Sequence, residues 1–152
     1  MLNWIQTFLR RRASRRLFES YVSISDIDAE TVSVLKAGAG VPGPVQPPII
    51  VVERGDVSAF ESVDDARRWM EAVDVRNGAY AAYDSQGYLL RLWASEPVVM
   101  VIGREPGLSA VETLDRALRA FMDATGEDSS AVADLTHDAL LALFISRFGY
   151  SR

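Results

Sequence analysis

Apolar positions along this chain recur with two different periods, and those periods divide it into elements. Leu2, Ile5, Leu9, Ala13 and Leu17 are spaced by three or four, the spacing of one helix stripe. Trp4, Phe8 and Phe18 widen that stripe, so residues 3–20 read as an amphipathic helix. A second helix is predicted over "DIDAETVSVLKAG", with Ser25 or Asp26 as its cap, acids in its first turn, Lys36 in its last and Gly38 as its stop. Residues 38–48, "GAGVPGPVQPP", contain four Pro and three Gly, which neither continue a helix nor form a central strand.

Beyond that linker the period changes. "IIVVE", residues 49–53, is a short β-branched run and reads as a buried strand, with "DVSAF" after it as a second strand or an irregular turn. "SVDDARRWMEAV" returns to helical spacing. Ala66, Trp69, Met70 and Val73 face inward, and Ser62 with Asp65 makes a capping-box-like start. "YAAYD" and "YLLRLW" alternate as strands do, and "DSQG" between them predicts a type I turn with its glycine in a left-handed bulge. Asn77-Gly78 predicts a tight turn into the first of these strands, so residues 80–93 are expected to form a hairpin. "PVVMVIG", residues 97–103, is nearly continuous in apolar residues and predicts a strand buried on both faces. A helix follows over "LSAVETLDRALRAFMDATG", with Ser109 and Glu112 as a capping box and Val111, Leu114, Leu118 and Phe121 on one face. The last helix is expected from Asp128 or Ser129 to Phe148, with Val132, Leu135, Leu140, Leu143, Phe144 and Phe148 buried.

This order predicts an α+β fold: a mainly antiparallel sheet of three to five strands with helices packed on it, preceded by a two-helix N-terminal arm. Residues 1–37 are expected to form the arm, 38–48 the linker and 49–152 a single globular body.

Composition narrows the chemistry. The 152 residues include no cysteine, which removes disulfides, thiol nucleophiles and Cys-ligated zinc. The net charge of −5 is unevenly placed. Residues 1–25 hold five Arg against Glu19, net +4, while the rest of the chain holds 11 basic and 20 acidic groups, net −9. An acidic body argues against nucleic acid as a partner and for a basic macromolecule. The basic N-terminal helix is expected to dock on the body, with an anionic membrane as the alternative. "SRRLFE" resembles a twin-arginine motif, but "SYVSISDIDAE" follows in place of an apolar run, so export is not expected and the cytoplasm is.

Candidate catalytic groups are few. His137 is the sole histidine; "DLTHD" sets Asp134, His137 and Asp138 on neighbouring positions of a helix, and a carboxylate partner is expected for it. No second histidine is present to build a metal set, and no nucleophile elbow or phosphate loop occurs. The pairs Asp26/Asp28, Asp64/Asp65 and Glu127/Asp128 all stand at predicted helix starts, where the helix dipole accounts for them. No cofactor, no metal and no enzyme activity are expected. The aromatic residues Tyr80, Tyr83, Tyr88 and Trp93 are concentrated in one hairpin, and strand alternation puts Leu89, Arg91 and Trp93 on the face opposite Tyr88, Leu90 and Leu92. Tyr, Trp and Arg are the side chains that anchor protein interfaces.

The stretch "FESVDDARRWMEAVDVRNGAYAAYDSQGYLLRL" carries the pattern D-V-x-N-G-x-Y-x-x-Y-D-x-x-G-x-x-L after a strand and a short acidic helix. Over residues 49–95 the chain resembles small bacterial proteins of the toxin-immunity type, the cognate immunity partners of polymorphic, contact-dependent or type VI secreted toxins. Ala79 stands where such proteins carry an acid before the first tyrosine, so no role of that acid passes to this chain. The resemblance implies a non-catalytic protein that occludes the active or functional surface of a toxin whose own surface is basic. The contributors it suggests are Asp74, Asn77, Tyr80, Tyr83, Asp84, Tyr88, Arg91 and Trp93, with Asp64, Asp65 and Glu71 from the preceding helix. A regulatory or adaptor module held at a membrane by the basic helix is the alternative, and an enzyme centred on His137 with Asp134 and Asp138 is the third reading.

Overall fold

The structure, a computed structural model, describes residues 44–105 and 109–152. The two predicted N-terminal helices and the first part of the linker lie outside the described residues. Within them the order is β1 (Ile49–Glu53), β2 (Asp56–Phe60), α1 (Val63–Trp69), α2 (Ala72–Arg76), β3 (Tyr80–Tyr83), β4 (Leu90–Ser95), β5 (Val98–Arg104), α3 (Val111–Ala124), α4 (Ser129–Ala133) and α5 (His137–Phe148). Helices and antiparallel strands both occur, so the α+β class holds for the described residues.

β1 is the centre of a three-stranded sheet in the order β2-β1-β3, antiparallel on both sides. β1 and β2 are joined by Arg54 and Gly55, both at positive φ (50° and 93°), the twist that suits a two-residue hairpin. The outer edge of β2 is met by the C-terminal tail, where the Ser151 amide donates to the Ala59 carbonyl at 2.7 Å.

Register explains why both sheet faces are buried. Ile50 pairs with Ala59 and Tyr83, and this row packs with Leu114, Leu118 and Leu140 under α3, α4 and α5. The next row, Ile49, Val51, Phe60 and Ala82, points the other way, into a second core closed by Met70 and Ala72 of the α1–α2 segment and by Leu90 and Val99 of β4 and β5. A strand alternates faces with period two, so a continuous "IIVV" run requires a core on each side.

Five expectations are corrected. The helix predicted over 62–73 is two short helices, broken where Met70 takes an extended conformation (ψ 138°). The break lets Trp69, Met70, Ala72 and Val75 all reach one core. The helix predicted from 128 to 148 is likewise two, with Thr136 capping the second by accepting from the Ala139 amide. Arg119 of α3 spans that break, donating to Val132 O at 3.2 Å and to Leu135 O at 2.8 Å. The expected Ser109–Glu112 capping box is also absent. Ala110 is the N-cap of α3, and the Ser109 hydroxyl lies against the carbonyls of Gln86 and Gly87.

The predicted hairpin of residues 80–93 differs more deeply. Its turn forms, with the Asp84 amide donating to Tyr88 O, the Gly87 amide to Asp84 O, and Gly87 at φ 77°. Its strands separate. β3 pairs with β1, whereas β4 pairs with β5 in a second, two-stranded sheet, and a single bridge, Tyr83 to Leu89, joins the two sheets. β5 alternates rather than being buried on both faces. Val99, Ile102 and Arg104 are buried while Val98 and Met100 are only half-buried.

Candidate functional site

The turn Asp84–Gly87 is bonded to several separate parts of the chain. Asp84 is fully buried. Its Oδ1 accepts from the backbone amides of Gln86 (3.1 Å) and Tyr88 (3.0 Å), the local bonding by which an aspartate closes a turn. Its Oδ2 receives Arg104, with Nε at 2.8 Å and Nη2 at 2.7 Å, and the Gln46 amide at 3.3 Å. Arg104, also buried, gives Nη2 to Gln86 Oε1 at 2.9 Å, and its guanidinium lies 4.1 Å from the centre of the Tyr88 ring. Burying two charges is tolerable only when their hydrogen bonds are met, and here they are met by residues from three separate parts of the chain.

The same turn reaches the helical layer. Gly87 O accepts from the Ala110 amide at 2.9 Å, and a Cβ on Gly87 would lie 2.6 Å from Val111 Cα, so backbone conformation and close approach both require glycine there. Ser85 O accepts from His137 Nε2 at 2.8 Å, while His137 Nδ1 is 2.6 Å from Asp115 Oδ1 of α3. Arg119 stands behind Asp115 at 3.9 Å. Burial opposes charge on the imidazole and is the largest single influence on it. The hydrogen bonds with Asp115 and Ser85 O and the fields of Asp115 and Asp138 together outweigh it, holding the pKa above the ordinary histidine value.

The expected carboxylate partner of His137 is therefore Asp115, on another helix, rather than Asp134 or Asp138. Asp134 lies outside α5, because the helix starts at His137. Both ring nitrogens face acceptors inside the molecule, so in this arrangement neither is open to take a proton from a substrate. Among the described residues no group of three His, Asp or Glu is arranged to hold a metal ion, and no helix is long and apolar enough to cross a membrane.

The residues singled out from sequence are not brought together on one surface. Tyr83 and Asp84 are enclosed, the first in the core under the helices and the second in the turn network, and neither presents its side chain to a partner. Tyr80 is half-buried edge-on against Trp69, with ring centroids 5.8 Å apart, and its hydroxyl accepts from the Glu71 amide at 3.4 Å. Burial, above all, pushes its phenol up to about 12. Tyr88 lies over Arg104. Asp64 and Asp65 are exposed at the start of α1, the first paired with Arg67 and the second with its N-cap Ser62. Glu71 and Asn77 are exposed caps of α2, and Asp74 is half-buried in its first turn.

Arg91 and Trp93 are placed differently. Pairing of Leu92 with Val101 and of Ala94 with Val99 turns these four toward the core, so Arg91, Trp93 and Ser95 share the outer face with Met100 and Val98. Leu89, at 36% exposure, begins that face. Trp93, Met100, Val98 and Leu89 belong to neither hydrophobic cluster. Arg91 lies 3.4 Å from Glu105 at the rim. Sequence reasoning missed Met100 and Val98, because within "VVMVI" nothing marks which alternate positions face out. It also missed Arg104 and Asp115, whose partners lie 20 and 22 residues away.

Comparison with protein-family models, curated proteins and solved structures finds no match for this chain.

Proposed function

We propose that this protein is an immunity-type binding protein that neutralises a cognate bacterial toxin by covering a functional surface of it. The observation that carries the reading is the outer face of the β4–β5 hairpin. Trp93, Met100 and Val98, each half-buried, and the more exposed Leu89 form an apolar strip with Arg91 at its rim, on a two-stranded ribbon whose opposite face packs on the second core. Aromatic, Met and Arg side chains are those enriched at interface centres. The partner's chemistry follows from charge. The described residues hold 10 Arg against 17 Asp and Glu, so their field steers a basic protein surface toward them. Asp84 ties the turn before β4 to Arg104 of β5, while the exposed acids Asp64, Asp65 and Glu71 add to the field.

Co-expression of the full chain with the protein encoded directly upstream tests this. The expected result is a stable complex and relief of that protein's toxicity, both abolished by Trp93→Ala with Met100→Asp. Failure to form a complex, with toxicity undiminished, overturns the proposal.

A further inference from the structure

His137 joins three elements that are far apart in the chain. It is the first residue of α5, it meets α3 through Asp115, and it meets the β3–β4 turn through Ser85 O. A carbonyl oxygen only accepts, so Nε2 must carry a proton to satisfy Ser85 O. An ionised carboxylate also only accepts, so Nδ1 must carry one to satisfy Asp115. Neutral imidazole has a single N–H. Both contacts are met together only by the imidazolium.

The charged groups around the ring are few. α3 contributes Asp115 with Arg119 behind it, and α5 contributes Asp138. The turn contributes a backbone carbonyl, because its one acid, Asp84, is committed to Arg104 and to the amides of Gln46, Gln86 and Tyr88. Nothing described on the turn side replaces the bond that a neutral ring gives up.

We propose that His137 is a proton-operated latch: charged, it pins the Asp84–Gly87 turn to α3 and α5, and neutral, it releases one of the two, loosening the turn from which β4 springs. The upward displacement of its pKa sets the direction. Stability from the latch is complete below the ordinary histidine value of about 6.5 and is lost as pH rises through the higher folded-state value. The outer face of β4–β5 begins at Leu89, two residues beyond the turn, so its position is coupled to the same proton.

The chain has one histidine, so its imidazole proton resonance is unambiguous in the full-length protein. Expected on titration is a His137 midpoint above 6.5, with the amide signals of Ser85–Tyr88 shifting at the same midpoint. Asp115→Asn should lower that midpoint by about one unit or more, and His137→Gln should abolish the coupled shift of the turn amides. A midpoint at or below 6.5, or turn amides unmoved through it, overturns the latch. If His137→Gln does not fold, the titration of the unsubstituted chain decides alone. This readout needs no partner, so it stands or falls separately from the toxin-binding proposal.

Discussion

Replacing Asp84 by Asn tests whether the buried turn network holds this body together. The substitution keeps size and shape but removes the charge facing Arg104. Oδ1 can still accept from the Gln86 and Tyr88 amides, so the turn itself keeps its local bonds. The other arm becomes an amide NH2 facing three donors: Nε and Nη2 of Arg104 and the Gln46 amide. An uncompensated buried arginine remains, and removing one partner of a buried pair costs about 3–5 kcal/mol. Against a total stability of about 5–15 kcal/mol that is a large share. At about 2–4 °C per kcal/mol for a chain this long, melting should fall by about 6–20 °C. Urea unfolding of Asp84→Asn, Arg104→Met and the double variant measures it. The double variant should cost less than the sum of the singles, because it removes both charges. Glu96→Gln is the contrast: its partner Arg76 is 51% and Glu96 56% exposed, and the change should stay below about 1 kcal/mol. A loss below about 1 kcal/mol for Asp84→Asn, or strictly additive singles, would refute the reasoning.

Four further outcomes follow from the same geometry. Gly87→Ala combines a positive φ with a Cβ pressed on Val111 backbone and should cost more than about 2 kcal/mol, whereas Gly78→Ala, with open space around it, should show only the backbone cost of about 1–2 kcal/mol; equal losses in denaturant would contradict the close approach. Leu118→Ala, fully buried under the sheet, should lose about 2–5 kcal/mol by the same assay. Trp93→Ala, at a half-buried ring, should cost less stability than Leu118→Ala, while weakening partner capture at least about tenfold, the loss of a single interface anchor; a stability loss as large as that of Leu118→Ala would place that ring in the core. The Tyr80 phenol is favoured neutral in the folded state, so its contribution is present in full below about 10 and is lost as pH rises from there through about 12. Phenolate absorbance should show a late-titrating fraction that Tyr80→Phe removes.

The turn at residues 84–87 separates local from non-local information. "DSQG" specifies its own shape, since Asp closes the turn through neighbouring amides and Gly takes the left-handed position, and both were legible in the sequence. What the turn connects was not. A hairpin and a corner between two sheets share the same local bonds, and the choice is made by which strand edge β1 and β5 offer. The long helices read from apolar periodicity were broken for a similar reason. Period 3.6 marks which residues seek the core but does not show where the chain bends so that Trp69, Met70 and Ala72 reach it together.

By itself, then, the amino-acid order determined the class of fold, the positions of most strands, the turn residues and the acidic character of the body, because these depend on side-chain type and near-neighbour spacing. Only the tertiary structure decided that Asp84 belongs to Arg104, that His137 belongs to Asp115 and Ser85, and that Trp93 and Met100 face outward while Tyr83 does not. The first two of those outcomes depend on pairing between segments some 20 to 50 residues apart, where burial makes each unmet charge or hydrogen bond costly and so selects a single set of partners; the third depends on which face of the β4–β5 pair meets the core.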